Sequence, residues 1–275
     1  MQIFNYDVNI IAADIAVPKS LVDQLIKVHG NALLQKSIGI KGDWTFELFR
    51  LIPIEQDPSH KDEKDFVEPH YRTTLNFVYP AGLDDKESDK IKIDDNDPGS
   101  IVEYTKHLIR LLRPECELTD IQLKIWDLVP RENLNNSEKY PFKTYNPVQR
   151  RRLQDINPLS VNSWPSSRVT LLGDAAHAMS PLFGLGTTNA IQDADVLSQA
   201  LLNYTSENYI SCIKEYENEM LKRSSENVLD SRTVTFQLLL PVGYFGSMIR
   251  TTMLKIKNTI INFRNFVTSL TYSIE

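Results

Sequence analysis

Cysteine is scarce in this 275-residue sequence, and long apolar runs without charge are missing. Cys116 and Cys212 lie far apart and in no paired motif, which excludes a disulfide scaffold and favours a reducing, cytoplasmic compartment. Because no window of about 20 residues lacks charge, we expect no transmembrane helix. Because Asp7 and Asp14 interrupt the first residues, we expect no signal peptide there. Residues 247–270 are the most membrane-like, yet their recurrent charges favour an amphipathic packing helix over an interfacial membrane helix.

The sequence also lacks an excess of basic residues. Its 30 Lys and Arg stand against 36 Asp and Glu, which gives a formal net charge of −6. This balance argues against nucleic acid as a partner. The one basic cluster, at 150–152, has no interleaved aromatic residues. We interpret it as a solvated loop or the start of a helix rather than as a phosphate contact.

Neither calcium nor zinc is expected to bind. The acidic stretch at 84–97 superficially resembles a calcium loop. However, Pro98 would take the fifth ligand position and Thr105 the twelfth, where a bidentate Glu is needed. Asp174 and His177 supply two ligands at most, fewer than a catalytic zinc requires. With no Gly-x-Ser-x-Gly and no His-Glu-x-x-His in the sequence, a hydrolase or metalloenzyme is disfavoured.

Periodicity predicts a mixed α+β chain. Alternating or β-branched patterns predict strands at 5–17, 44–52 and 71–80, and a short buried strand at 168–172. Amphipathic patterns predict helices at 19–30, 101–114 and 207–240. The pattern at 118–130 fits either one element or a helix followed by a strand.

The stretch RVTLLGDAAHAMSPLFGLGTTNAIQDADVL, residues 168–197, combines a predicted strand, a glycine-containing loop and a helix. Glycines before a helix N-terminus suit an anionic or electron-rich ligand, which would lie over residues 184–188. Asp174, at the end of the predicted strand, would accept hydrogen bonds from hydroxyl groups. We expect the helix to begin near Thr188, with Thr188 or Asn189 as its cap. The alternative is that the glycines serve only packing or turns.

The residues GDAAHAMSPLFGLGTTNAIQDADVLSQAL within and beyond this stretch resemble a known motif. It is the second flavin-binding motif of the FAD-dependent aromatic hydroxylases, the 4-hydroxybenzoate hydroxylase-like monooxygenases. The resemblance implies a mixed β-sheet substrate-binding domain at 1–150. It further implies the C-terminal part of a Rossmann-like FAD-binding domain at 151–205, and C-terminal helices at 206–275.

The resemblance also implies roles for individual residues. Asp174 would accept hydrogen bonds from the ribityl chain of FAD, and Pro181 would line the face of the isoalloxazine ring. The helix starting near Thr188 would stabilise negative charge on the reduced flavin. His177 is expected to be structural rather than a proton carrier, and no catalytic acid or base is named. The implied FAD-binding residues are Gly173, Asp174, Pro181, Gly184, Leu185, Gly186, Thr187, Thr188 and Asn189. One departure from the family pattern is Thr188, where an Asn is usual, with Asn189 one place later.

By this resemblance, the function is that of an FAD-dependent monooxygenase. Such enzymes hydroxylate a planar or aromatic small molecule through a flavin hydroperoxide, with NADPH or NADH as the reductant. The usual Gly-x-Gly-x-x-Gly turn for the FAD pyrophosphate is missing from this sequence, whose only Gly-x-Gly is at 184–186. We therefore expect the chain to be the C-terminal portion of such an enzyme. The alternative is a truncated, non-catalytic homologue that acts as a binding or interaction module.

Overall fold

The fold is mixed α+β, as predicted. The computed structural model describes residues 2–30, 34–38, 45–53, 70–132, 148–161, 167–202, 204–205, 207–239, 246, 248–249 and 252–253. Its strands are β1 (Ile3–Pro18), β2 (Leu34–Ile38), β3 (Phe46–Pro53), β4 (His70–Pro80) and β5 (Gln149–Ile156). Its helices are α1 (Lys19–His29), α2 (Gly82–Glu87), α3 (Pro98–Leu112), α4 (Glu117–Asp127), α5 (Asp174–His177), α6 (Gly186–Leu202) and α7 (Tyr209–Leu239).

The five strands form one sheet in the order β2-β3-β4-β1-β5. β5 pairs antiparallel with β1, from Ile3 opposite Ile156 to Ala12 opposite Gln149, and β2 pairs antiparallel with β3. The register of β1 shifts around Asp7, whose φ of 54° marks a bulge. The strands predicted at 5–17, 44–52 and 71–80 correspond to β1, β3 and β4.

The chain divides into two compact units. Unit 1 comprises Met1–Ala12, Val78–Asp95 and Gln149–Leu240, and unit 2 comprises Ala13–Phe77, Asn96–Val148 and Pro241–Glu275. Both β1 and β4 contribute residues to each unit. The domain boundaries expected at 150 and 205 stay a prediction. Of the predicted C-terminal part, α7 covers most of the helical pattern, and residues 254–275 lie outside the described residues.

Unit 2 packs α3 and α4 together, and α1 against α4. α3 begins after Asp97, whose side chain accepts a hydrogen bond from Gly99 N at 2.9 Å. The helix ends at Leu112, ahead of Pro114. The region at 118–130, which the sequence left ambiguous, contains one helix and no strand, because Ile121, Ile125 and Trp126 bury one face of α4.

The basic cluster at 150–152 lies in strand β5, so its interpretation as a loop or helix start was wrong. Arg150 makes a bidentate ion pair with Asp95, with both distances 2.8 Å. It also donates to Asp84 and, at 2.8 Å, to the hydroxyl of Tyr79. Part of the acidic stretch at 84–97 therefore neutralises Arg150.

Candidate cofactor site

The first turn of the candidate site is at Gly173, directly before α5. Gly173 has φ 61° and ψ −144°, a conformation that only glycine adopts readily. Its carbonyl accepts hydrogen bonds from Ala176 N at 2.9 Å and His177 N at 3.0 Å, which start the helix. Asp174 is therefore the first residue of α5, and its side chain is exposed.

Residues 168–172, which lead into this turn, do not form the buried strand that the sequence predicted. The segment has no regular structure, and Val169 is 75% exposed, with Leu171 and Leu172 also exposed. A strand needs a neighbouring backbone, and no described strand pairs with this segment. Its carbonyl at Leu171 instead accepts a hydrogen bond from Tyr216 on α7, at 2.8 Å. Apolar composition alone therefore predicted burial wrongly.

The second turn runs from Ser180 to Gly184. Ser180 caps a 3-10 turn at Pro181–Phe183, and its Oγ accepts from Leu182 N at 3.4 Å. Gly184 follows in the left-handed region, with φ 75° and ψ 13°. No described atom lies within 4 Å of the position a Cβ would take at Gly184, so the space on that side is open.

α7 holds this second turn from the interior. Ser231 Oγ donates to the carbonyl of Ser180 at 3.1 Å, and Thr235 Oγ1 donates to Ser180 Oγ at 2.7 Å. All three residues are buried. Because the hydroxyl of Ser180 is engaged on both sides, the turn that carries Pro181 is tied to α7.

Helix α6 begins at Gly186, two residues before the expected start near Thr188. The carbonyl of Leu185 accepts from Asn189 N at 3.0 Å. The N–H groups of Gly186, Thr187 and Thr188 therefore have no acceptor within the helix. Since the helix starts ahead of Thr188 and Asn189, neither is its cap, and that prediction was wrong. The exposed backbone donors and the helix dipole both favour negative charge at this end.

The start of α5 lies beside the start of α6. A Cβ at Gly186 would be 3.8 Å from Asp174 Oδ1 and 4.0 Å from Met179 Cγ. The carboxylate of Asp174 therefore adjoins the first turn of α6, with no side chain of Gly186 between them. This arrangement sets a hydrogen-bond acceptor beside a set of backbone donors.

A buried carboxylate, Asp193, links α5 and α6. Its Oδ2 accepts from Gly173 N at 2.7 Å and lies 2.7 Å from His177 Nε2. Its Oδ1 accepts from Arg223 Nη2 on α7, also at 2.7 Å. Asp193 and His177 are both fully buried, so these polar contacts take the place of the hydrogen bonds that the two side chains would make to water. His177 therefore holds the turn in place, as expected of a structural residue.

Asn189 forms a second link between α6 and α7. Its Nδ2 donates to Leu185 O at 3.0 Å. Its Oδ1 accepts from Arg223 Nη1 at 2.8 Å and from Asn227 Nδ2 at 2.9 Å. Three of the four hydrogen-bonding positions of the side-chain amide are therefore used inside the protein, and the side chain is buried.

Asp193 is held in its charged form. Burial by itself would raise the pKa of Asp193, but the hydrogen bonds from Arg223, Gly173 N and His177 outweigh it and lower the pKa below its usual value. The guanidinium of Arg223 is shared with Glu219, whose Oε1 accepts from Nε at 2.8 Å. The charge of Asp193 is thus compensated within the cluster.

The predicted site residues, all between Gly173 and Asn189, differ in their exposure to solvent. Exposed residues are Asp174, Pro181, Gly184, Thr187 and Thr188. Partly buried residues are Leu185 and Gly186, and buried residues are Gly173 and Asn189. The exposed and partly buried members can contact a ligand directly, whereas Asn189 faces α7.

Sequence reasoning missed the residues that hold the site, namely Asp193, Arg223, Asn227, Ser231 and Thr235. A signal was present in α7. Starting from Tyr216 and Met220, which are buried, steps of three or four residues lead to the four polar positions on α7. A polar face at core spacing predicts buried hydrogen bonds, but the partners lie 30 to 55 residues away along the chain.

The described residues offer neither a metal cluster nor a membrane-spanning helix. Within the part of the chain that the structure describes, no group of three or more His, Cys, Asp or Glu side chains could hold a metal ion. No helix in that same part is long and apolar enough to cross a membrane.

Comparison with known proteins matches this segment to a family. The FAD binding domain family matches residues 129–231, which include both turns, Asp193 and Arg223. Over these residues, the chain is similar to FAD binding domains and to FAD-dependent monooxygenases. One relative is the dual O-methyltransferase/FAD-dependent monooxygenase CTB3 of Cercospora beticola, 41% identical over 69 residues, which are 25% of this chain and 8% of that protein.

Solved structures show the same fold. CtdE in complex with FAD and substrate matches with a TM-score of 0.56 and 14% identity, over 86% of this chain and 48% of that one. HpxO of Klebsiella pneumoniae, complexed with FAD and uric acid, matches with a TM-score of 0.52 and 16% identity, over 86% of this chain and 46% of that one. This chain therefore spans about half the length of these structures. FAD is the cofactor named for both proteins and for the matched domain.

Proposed function

We propose that residues 173–189 form part of the FAD site of a monooxygenase that hydroxylates a planar or aromatic small molecule. The observation that carries this proposal is the position of Asp174 Oδ1, 3.8 Å from where a Cβ of Gly186 would lie. An exposed acceptor thus stands beside the donor end of a 17-residue helix. A flavin offers hydroxyls on its ribityl chain and carbonyl oxygens on its ring, which match these two features.

Asp174 would hold the ribityl chain. Its carboxylate is exposed, and no described residue donates a hydrogen bond to it in this structure. A carboxylate accepts hydrogen bonds from neighbouring hydroxyl groups and, being charged, forms strong ones. The fixed φ of Gly173 sets the direction in which Asp174 points.

The start of α6 would hold the flavin ring. The backbone at Gly184, Leu185, Gly186 and Thr187 would face the pyrimidine edge, and the N–H groups of the first turn would donate to ring oxygens. The open space at Gly184 fits a planar group lying against the backbone. Pro181, which is exposed in the same loop, would line the face of the ring. The backbone N–H of Thr188 would be one of these donors.

Bound FAD supplies the redox chemistry of such enzymes, with NADH or NADPH as the reductant. The contribution of this chain is to bind and orient the ring and to place positive helix-dipole charge beside its oxygens. We assign no side chain as a catalytic acid or base. His177 is fully buried against Asp193 and does not face the open side of the turns.

The dinucleotide end of FAD would be held by polypeptide outside this sequence. Support comes from the missing Gly-x-Gly-x-x-Gly and from the half-length match to the solved structures. The exposure of Val169, Leu171 and Leu172 also supports it, since these apolar side chains are only partly covered by the described residues. Uric acid in HpxO is an example of a planar ligand, bound by that protein.

The test is flavin binding by the whole chain, measured by quenching of flavin fluorescence with riboflavin and with FAD. We expect riboflavin and FAD to bind equally, because the proposed contacts reach only the ring and the ribityl chain. Asp174→Ala should weaken both by about tenfold, the usual effect of losing a hydrogen bond to a charged group. Asp195→Ala is the matched control, since Asp195 is exposed further along α6 and should leave binding unchanged.

Failure of a folded chain to quench either flavin would overturn the proposal. The chain would then be better described as a binding or interaction module without redox activity. Preference for FAD by a large factor would instead show that this chain also holds the pyrophosphate.

A further inference from the structure

Arg223, on α7, joins two residues of α6 that are one helical turn apart. Its Nη1 donates to Asn189 Oδ1 at 2.8 Å, and its Nη2 donates to Asp193 Oδ1 at 2.7 Å. The remaining edge of the guanidinium, through Nε, pairs with Glu219 at 2.8 Å. The side chain of Arg223 is only 14% exposed, so these contacts are shielded from water.

Each of these two α6 residues makes a further hydrogen bond, to the backbone at or beside one of the turns. Asp193 accepts from Gly173 N at 2.7 Å, directly before Asp174. Asn189 Nδ2 donates to Leu185 O at 3.0 Å, directly after Gly184 at the end of the second turn. Arg223 is therefore connected to each turn by two successive hydrogen bonds, through Asp193 to the first turn and through Asn189 to the second.

Lysine could not make this set of contacts. The guanidinium has five N–H donors in a rigid plane, whereas the ammonium of lysine is a single nitrogen on a flexible stem. Arg223 uses three different nitrogens for Asn189, Asp193 and Glu219. A lysine would keep the charge but lose the geometry that holds Asn189 and Asp193 at a set separation.

We propose that Arg223 is a positioning residue for the flavin, which sets the distance between the Asp174 carboxylate and the donor end of α6. This rests on the proposed function, because the two turns matter together only if one ligand contacts both. Arg223 does not reach the ligand itself. It acts through Asp193 and Asn189, and so its loss would move or loosen both turns at once.

Another arginine on the same helix supplies a matched control. Arg232 forms a bidentate pair with the fully buried Asp155, with Nη2–Oδ1 at 2.5 Å and Nε–Oδ2 at 3.0 Å. That pair lies beside β5 and contacts neither turn directly. Arg223→Lys and Arg232→Lys therefore each weaken the pairing of an arginine with a fully buried carboxylate, but only the first affects the turns.

The first measurement is amide hydrogen exchange of the whole chain without flavin. In Arg223→Lys, exchange at the amides of Gly173 and Asn189 should be faster by about tenfold, which corresponds to the loss of one hydrogen bond in each path. The amide of Ile156, which donates to Ala178 O at 2.8 Å, should stay protected. Arg232→Lys should give the reverse pattern. Unchanged exchange at Gly173 and Asn189 in Arg223→Lys overturns the inference.

The second measurement is riboflavin binding with the visible circular dichroism of the bound ring. Arg223→Lys should weaken binding by about tenfold, as expected for loss of a residue that orients binding groups, and should alter the dichroism. Arg232→Lys should leave both unchanged. Equal loss in the two variants would indicate general destabilisation and would overturn the inference. If the wild-type chain binds no flavin, the proposed function fails, while the exchange experiment still decides whether Arg223 sets both turns.

Discussion

His177 Nε2 lies 2.7 Å from Asp193 Oδ2, and both side chains are completely buried. The lowered pKa keeps Asp193 ionised, and an ionised carboxylate can only accept hydrogen bonds. Nε2 of His177 therefore carries a hydrogen and donates a hydrogen bond to Asp193. His177 Nδ1 has no hydrogen-bond partner among the described residues. The pair ties the last residue of α5 to α6 and, through Gly173 N, to the turn that directs Asp174.

Asp193→Asn should destabilise the chain by about 3 kcal/mol, because it leaves Arg223 without its buried carboxylate. Denaturant unfolding at neutral pH measures this. Asp195→Asn, an exposed change on the same helix, should stay within about 0.5 kcal/mol of wild type. Similar values for the two variants would show that the cluster contributes little to stability.

Asp193 should also make the stability of the chain sensitive to acid. Its folded-state pKa is below the usual 3.8, so its contribution is present above that value and is lost as the pH falls through the folded-state pKa. Acid titration of stability should therefore be less steep in Asp193→Asn than in wild type. Parallel acid profiles for wild type and variant would contradict this origin.

Glu47, in unit 2, predicts the opposite pH dependence. Burial raises the pKa of Glu47 from 4.5 to about 7, although Trp126 Nε1 donates to its Oε1 at 2.6 Å and Arg113 lies nearby. Its contribution is therefore fully present below pH 4.5 and is lost as the pH rises through about 7. The whole change amounts to roughly 3 kcal/mol.

Unfolding at about pH 5 and about pH 8 measures this change, with Glu47→Gln as the comparison. The amide of glutamine does not ionise, so the variant should lose less stability than wild type between the two values. A variant with the same loss as wild type would assign the pH dependence to another group.

Gly184→Ala should destabilise the chain by about 1 kcal/mol, because its φ of 75° is unfavourable for a residue with a Cβ. Gly184→Asn should cost less, since asparagine tolerates the left-handed region better. Thermal unfolding compares them. Gly82→Ala, at a glycine without positive φ and with open space around it, should not destabilise. An unchanged melting temperature in Gly184→Ala would show that the turn relaxes.

Thr235→Val should remove one buried hydrogen bond and cost about 1 kcal/mol, while nearly keeping the shape of the side chain. The hydroxyl of Thr235 donates to Ser180 Oγ at 2.7 Å, so exchange at residues 181–184 should also become faster. Thr233→Val is the control, because Thr233 is exposed and bonds only within α7, to Leu229 O. Equal effects of both variants would exclude a specific role in holding the turn.

Much of the fold could be predicted from the sequence. Local rules place α1, α3 and α7 within a few residues of where they lie, since apolar periodicity and proline act within a single element. The order of Asp174, Gly184 and Gly186 also predicted that an acceptor and a helix N-terminus would meet. Those two features are close along the chain, so the short segment between them limits how far apart they can lie.

Other predictions depended on neighbours that a sequence pattern does not specify. Residues 168–172 have the composition of a strand but no pairing partner among the described strands. Thr188 and Asn189 suited a helix cap, but the buried amide of Asn189 bonds to α7 instead. In each case the outcome was decided by backbone or side-chain contacts from a distant part of the chain.

The sequence by itself determined the local conformation of the site: glycines at 173 and 184 allow positive φ, and a helix follows Leu185. Only the tertiary structure decided how the two turns are held, through Asp193 and Arg223. The physical reason is range. Backbone strain and helix propensity act between neighbouring residues, whereas a buried carboxylate needs donors that folding must bring from 20 and 30 residues away.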